Sequence, residues 1–330
     1  MNRSTTSEPS RILVPLDGSE FAEEALAYAL ALSSPNTHVL LLRVIAGERE
    51  RSSPKHILGG SAIDELRRER QDALEYLVAT ASEVRHNGAS VQPIASVAVG
   101  DTAEQIVRVA RDRGYDMIVM SSHGRGAVRR LAYGSVADRV ARTSPVPVLI
   151  VRPGSEGQKE ETRQIRRLVV PLDGSPLAEK ALPIAARLAP QIGVPMLIVS
   201  VVESWGAASP FMAYPAGLST EYQDEAMASA ETWLRKSLEK VGQLASAENL
   251  TVSTQILRGP IAPSIMAATR AGDLVVMTSH CRSGISRFLL GSVAEKLVRE
   301  CQAPVLLVPP GPWLATAGAH VAALSVATTS

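Results

Sequence analysis

Apolar positions along this chain follow two alternating rhythms. Short runs without a polar break, such as Ile12-Leu13-Val14, Val39-Leu40-Leu41-Leu42 and Met117-Ile118-Val119-Met120, read as strands buried on both faces. Between them, apolar residues recur three and four positions apart, the spacing of one helix face. The pattern predicts strands at Ile12–Leu16, Val39–Ile45, Ile94–Val99, Met117–Met120 and Val146–Val151. It predicts helices at Ser19–Leu32 with Ser19 as cap, at Ile63–Val84, at Thr102–Arg113 and from Ser135 onward. Strands and helices that alternate at these lengths imply an α/β fold, with a parallel sheet covered by helices on both faces. Ligands of such sheets bind beyond the carboxyl ends of the strands, where the strand order reverses.

The whole pattern then repeats. Ile12-Leu13-Val14-Pro15-Leu16-Asp17-Gly18-Ser19 returns as Leu168-Val169-Val170-Pro171-Leu172-Asp173-Gly174-Ser175, and Val119 to Ala137 returns as Val276 to Ala294, 157 residues on (276 minus 119). A period this long is a duplicated domain and not a solenoid repeat. The chain therefore divides into residues 10–153, a polar linker at 154–164, residues 165–310 and a low-complexity tail at 311–330. In the second copy Pro176 is expected at the first helical position after Ser175, and Pro183 is expected to kink that helix. The tail is low in charge, and is either disordered or laid on a neighbour.

The most informative stretch is VMSSHGRGAVRRLAYGSVA, residues 119–137, where a strand passes through a glycine-bearing loop into a helix. A helix start presents unpaired N–H groups and the positive end of the helix dipole, a ready site for phosphate. Gly124 and Gly134 carry no Cβ to obstruct close approach, and Ser135 and Val136 supply N–H groups. Ser135-x-x-Asp138 and Ser292-x-x-Glu295 are also capping-box spacings, so either serine has a purely structural reading. Asp17 and Asp173 follow the first strand of each copy. A carboxylate is repelled by a triphosphate, so each faces a ribose, a base or metal-bound water, or else braces its glycine turn. Arg125, Arg129, Arg282 and Arg287 either approach phosphates or are solvated loop charges. His123 and His280 have no repeated nucleophile or acid beside them, and read as turn residues. Gly100 and Gly259 read as turn glycines after the third strand.

The combination of VPLDGS, the SHG turn and, after nine intervening residues, G-S-V-A resembles the universal stress protein family. The likeness covers roughly residues 10–153 and 165–310, as in tandem-domain members. It implies two Rossmann-like domains of the adenine nucleotide alpha hydrolase kind, each a five-stranded parallel sheet, with pairing of domains through the last strand. It also implies ATP binding, with Mg2+ as a companion ion, since ATP-binding members carry G-x2-G-x9-G-[ST]. The first copy reads Ser121-x2-Gly124-x9-Gly134-Ser135, and the second Thr278-x2-Cys281-x9-Gly291-Ser292. On this resemblance the nucleotide residues are Pro15, Asp17, Val44, Ser121, Gly124, Arg125, Gly134, Ser135 and Val136, with Asp173, Val201, Thr278, Gly291, Ser292 and Val293 in the second copy. Cys281 puts a Cβ and a sulfur where the motif wants glycine, so the second site is expected to be weaker or empty.

Composition narrows the function classes. A formal charge of +1 argues against a dedicated nucleic-acid binder. No run approaches eighteen apolar residues, and the polar start MNRSTTSEPS lacks a signal-peptide core, so neither membrane nor export is expected. Cys281 and Cys301 have no metal-ligand spacing and read as reduced thiols of a cytoplasmic protein. No G-x4-G-K-[ST], H-E-x-x-H or kinase motif occurs, and no G-x-G-x-x-G follows the first strand. The expected function is an ATP-binding stress or regulatory protein acting through conformation or an unidentified protein partner. The alternatives are a slow ATPase, another adenine-nucleotide enzyme, or a scaffold that binds no nucleotide. Residues 203–222 hold Trp205, Phe211, Tyr214 and Tyr222, four of twelve aromatics, and either stack on a base, lid the site, meet a partner or cover apolar surface.

Overall fold

A β-branched run without polar residues is stable only as a strand covered on both sides. The computed structural model describes residues 11–46, 62–122, 134–152, 164–203, 218–244, 250–279 and 290–310, and there the apolar runs are strands. The described residues fall into two units, divided between Ser155 and Glu156. The first contains β1 (Arg11–Pro15), β2 (His38–Ile45), β3 (Ile94–Val99), β4 (Met117–Ser121) and β5 (Val148–Val151). Its helices are α1 (Glu20–Ala31), α2 (Ala62–His86), α3 (Thr102–Asp112) and α4 (Ser135–Thr143). All pairings between these strands are parallel, in the order β3-β2-β1-β4-β5. Ile12, Leu13 and Val14 of the central β1 are completely buried.

The second unit repeats this plan. Its strands are β6 (Arg167–Pro171), β7 (Met196–Val202), β8 (Val252–Arg258), β9 (Asp273–Thr278) and β10 (Val305–Val308), parallel in the order β8-β7-β6-β9-β10. Its helices are α5 (Leu182–Gln191), α6 (Leu218–Leu244), α7 (Ile261–Ala268) and α8 (Ser292–Glu300). In each unit the chain steps outward twice in one direction, then crosses back past the first strand. Right-handed crossovers put the helices of the two directions on opposite faces. Accordingly α3 packs on α4, α5 on α6, and α7 on α8.

The helix after β6 departs from expectation only in its later part. Ser175 caps the first turn as expected, its carbonyl accepting from Glu179 N–H at 3.2 Å, with Pro176 next in the chain. Pro183, however, does not kink one continuous α-helix. The chain makes a turn in which Ala178 N–H donates to Ser175 Oγ at 3.1 Å, then a 3-10 helix at Ala178–Ala181, and only then begins α5. Proline has no N–H and its ring meets the carbonyl four residues back, so within a helix it costs least in the first turn. Restarting the helix at Leu182 puts Pro183 there; α5 also carries Pro190, one residue before its end. The linker 154–164, apart from Gln164, and the tail 311–330 lie outside the described residues, as do 204–217 of the aromatic-bearing stretch.

The starts of β6 and β9 are joined by charge. Asp273 is 3% exposed and accepts from Arg167 Nη2 at 2.6 Å and Nε at 3.0 Å, and from the Arg270 N–H at 2.8 Å. In the first unit Arg11 occupies the equivalent place, but its guanidinium lies 5.1 Å from the Tyr115 ring centroid while its N–H donates to Asp116. Removing one member of a buried pair leaves the other charge uncompensated. Arg167→Met is therefore expected to destabilise the second unit by about 3 kcal/mol. A chemical-denaturation midpoint equal to that of the unsubstituted chain would contradict this.

Candidate functional site

Parallel strands end by delivering their last backbone groups and the next few residues to one edge of the sheet. In the first unit β1 ends at Pro15, and Leu16 N–H continues the ladder by donating to Leu42 O at 2.8 Å. The chain then turns through Asp17 and Gly18, whose φ of 75° suits glycine. Asp17 Oδ1 accepts from the N–H of Ser19 at 3.0 Å and from its hydroxyl at 2.5 Å, while Ser19 Oγ caps α1 by accepting from Ala22 N–H at 3.3 Å. The second unit repeats this, with Asp173 Oδ1 accepting from Ser175 N–H at 2.9 Å. Of the two readings of these aspartates, bracing of the turn is thus present in both units, through one carboxylate oxygen of each.

The start of α4 settles a second alternative. Gly134, not Ser135, is the N-cap, and no side chain caps the helix; α8 starts in the same way at Gly291. The acidic residues that would complete a capping box turn away along the helix instead. Asp138 pairs with Arg142 at 2.8 Å, and Glu295 with Arg299 at 2.8 Å. The capping-box reading of Ser135 and Ser292 is therefore wrong. The reason is tertiary. Gly134 N–H donates to Ser122 O at 2.8 Å, and Gly291 N–H to Ser279 O at 3.0 Å, so the strand end takes up the glycine's own N–H. Ser135 and Ser292 become the first residues of their helices, both exposed.

These glycines are not required by their backbone. Gly134 has φ −63° and ψ 137°, and Gly291 has φ −62° and ψ 147°, values open to any residue. Gly100 and Gly259 contrast with them, at φ 134° and 129°, and these serve their turns as expected. A Cβ on Gly100 or Gly259 would also come within 2.9 Å of Gln105 Nε2 or Ser264 Oγ respectively.

In the second unit the strand ends enclose a cavity of about 130 Å³. Asp173, Val201, Thr278, Gly291, Ser292 and Val293, the six residues expected there from the sequence, all line it. Its walls also include Leu177, Ile261, Ile265 and Met277, which sequence reasoning did not single out. The spacing of Ile261 and Ile265, one turn apart at the start of α7, was the signal available for two of them. In the first unit Pro15 closes β1, Val44 pairs with Ala98 near the end of β2, and Ser121 closes β4. Gly134, Ser135 and Val136 stand at the start of α4. Gly124, Arg125, Arg129, Cys281, Arg282, Arg287, His123 and His280 lie outside the described residues.

The sequence profile of the universal stress protein family matches residues 9–152 and again residues 164–309. The chain belongs to the universal stress protein family. It carries the domain twice, which makes it a tandem-domain member with Rossmann-like α/β units. Universal stress protein MJ0531 of Methanocaldococcus jannaschii is 31% identical over 145 residues, 43% of this chain and 81% of that protein. Universal stress protein MJ0577 of the same organism is 31% identical over 154 residues, 43% of this chain and 94% of that protein. A crystal structure of a universal stress protein from Archaeoglobus fulgidus shares the fold at a TM-score of 0.64 and 22% identity, covering 92% of this chain and 100% of that one. Among the described residues of this universal stress protein, no helix is long and apolar enough to cross a membrane.

Two serines at helix starts now separate by role. Ser19→Ala removes a side-chain cap and is expected to cost about 1 kcal/mol of stability. Ser135→Ala removes none, and is expected to change stability by less than about 0.5 kcal/mol. Equal losses in urea denaturation of the two variants would contradict this assignment.

Proposed function

We propose that this universal stress protein binds ATP at the carboxyl edge of each sheet, more tightly in the first domain, and acts in the stress response through nucleotide-dependent conformation or partner choice. The observation that carries the proposal is the glycine at the start of α4 and α8. A residue that any side chain would fit by backbone geometry is kept as glycine beside two helix N–H groups and a first-turn hydroxyl. A helix N-terminus with no side-chain cap and no Cβ on its capping residue suits phosphate oxygens. The cavity beside Gly291 adds an apolar wall suited to a purine, with Val201, Ile261 and Ile265, and a carboxylate, Asp173, suited to ribose hydroxyls.

Within this reading Pro15, Asp17 and Val44 hold the nucleoside, and Ser121, Gly124, Arg125, Gly134, Ser135 and Val136 hold the phosphates with any accompanying Mg2+. The second domain uses Asp173 and Val201, then Thr278, Gly291, Ser292 and Val293. Cys281 in the place of a motif glycine weakens it. The chain works in the cytoplasm as a binder and not by turnover, its modules bounded at residues 10–153 and 165–310. Their last strands, β5 and β10, are short and apolar, and an unpaired apolar edge invites pairing. We place them side by side within one chain, where a linker of eleven residues reaches about 35 Å when extended and keeps the partners concentrated. A homodimer would then use other surfaces.

Calorimetry with ATP tests the sites. Two unequal sites are expected, with Gly134→Val abolishing the tighter and Gly291→Val the weaker while both variants stay folded. Unchanged affinities in folded variants, or two equal tight sites, would overturn the assignment, and steady release of ADP would make the protein an enzyme.

Single cysteines placed in β5 and β10, in a chain with Cys281 and Cys301 replaced, test the pairing. Cross-linking within one chain is expected. Links formed only between chains would refute it.

A further inference from the structure

The turn beside the second unit's cavity meets an aromatic ring. Gly174 sits at φ 77°, and a Cβ there would lie 3.1 to 3.3 Å from Nε1, Cε2 and Cδ1 of Trp233. The five-membered edge of the indole therefore rests on the turn itself. The residues flanking Gly174, Asp173 and Ser175, both line the cavity. Trp233 is carried by α6, which Ala230 and Leu234, each 3% exposed, seat in the core on either side of it. Its carbonyl accepts from Ser237 Oγ at 2.9 Å.

The first unit uses the equivalent position differently. Tyr76 stands there (233 minus 157). Its hydroxyl donates to Glu23 Oε1 at 3.0 Å, joining α2 to α1. Burial, followed by the negative charge of Glu23, pushes its pKa up to about 12. One copy thus joins two helices by a hydrogen bond, whereas the other sets a flat ring against the turn that carries Asp173.

We propose that Trp233 is a positioning residue of the second site: by resting on Gly174 it holds the Asp173-Gly174-Ser175 turn, so that filling the cavity and the packing of α6 are linked. The inference rests on the nucleotide reading of that cavity. A ring with few rotatable bonds fixes a neighbouring backbone at low entropic cost. A glycine turn without such support samples more conformations, and binding then has to order it.

The test uses the full chain with Gly134→Val to disable the first site, and with Trp205→Phe and Trp313→Phe so that Trp233 is the only indole. Titration with Mg·ATP is followed by Trp233 emission and by calorimetry. A saturating emission change at the calorimetric midpoint is expected. Adding Trp233→Ala should weaken ATP binding about tenfold, or about 1.4 kcal/mol, in a chain that still unfolds cooperatively, and Trp233→Phe should recover most of the loss. Binding that Trp233→Ala leaves unchanged overturns the positioning role alone. Absence of ATP binding in the parent chain overturns the nucleotide reading of the cavity and this inference with it. If Trp233→Ala does not fold, the emission decides, and an indole silent at saturating ATP overturns the proposal.

Discussion

A parallel strand cannot close its own hydrogen bonding at its carboxyl end, and the next element must take up the last groups. In both units this falls on one contact, the N–H of a helix-capping glycine donating to the carbonyl just beyond the fourth strand, Gly134 to Ser122 and Gly291 to Ser279. That contact brings the helix start back to the strand it left. It consumes the glycine's own N–H and leaves the next residues, Ser135 and Val136 or Ser292 and Val293, to present theirs. The crossover reversal between β1 and β4, and between β6 and β9, sets the Asp-Gly-Ser turn on the neighbouring strand end. The site chemistry follows from these two constraints.

The copies share the constraints and differ in what surrounds them. In the first, Asp101 caps α3 by accepting from Glu104 N–H at 2.8 Å, and it also accepts from Arg139 on α4 at 2.7 Å. The second copy has Pro260 at the cap of α7, with no side-chain cap. Its counterpart of Arg139 is Lys296. Pro260, in the place of Asp101, cannot make the charged tie that joins α3 to α4 in the first unit. Tyr76 and Trp233 diverge in the same sense, from a polar link to an aromatic contact. Duplication has kept the turn and the helix start while the second-layer contacts changed.

Much of this was legible from residue order alone. Strand positions came through because a run such as Ile12-Leu13-Val14 is stable only when buried on both faces, a local property. The duplication and the family followed from spacing, with VPLDGS and G-S-V-A recurring at nearly one offset. The six residues around one cavity were named through the resemblance to the family's motif, and the α/β plan, which sends strand ends and helix starts to one edge, accounts for their meeting there.

What local pattern could not supply were choices made by distant partners. Ser135-x-x-Asp138 is a sound capping box by spacing, and only the carbonyl of Ser122, twelve positions before Gly134, shifts the cap by one residue. Pro183 reads as a kink until the chain is seen to restart at Leu182, a break that proline geometry requires but whose position the fold decides. Trp233 lies 59 residues from Gly174 (233 minus 174), and no periodicity links them. Residue order determined the elements, the duplication and the edge where the site lies, because propensity and burial act within a few residues. Tertiary structure decided the caps, the helix restart and the ring against the turn, because those contacts form only after distant segments have been packed together.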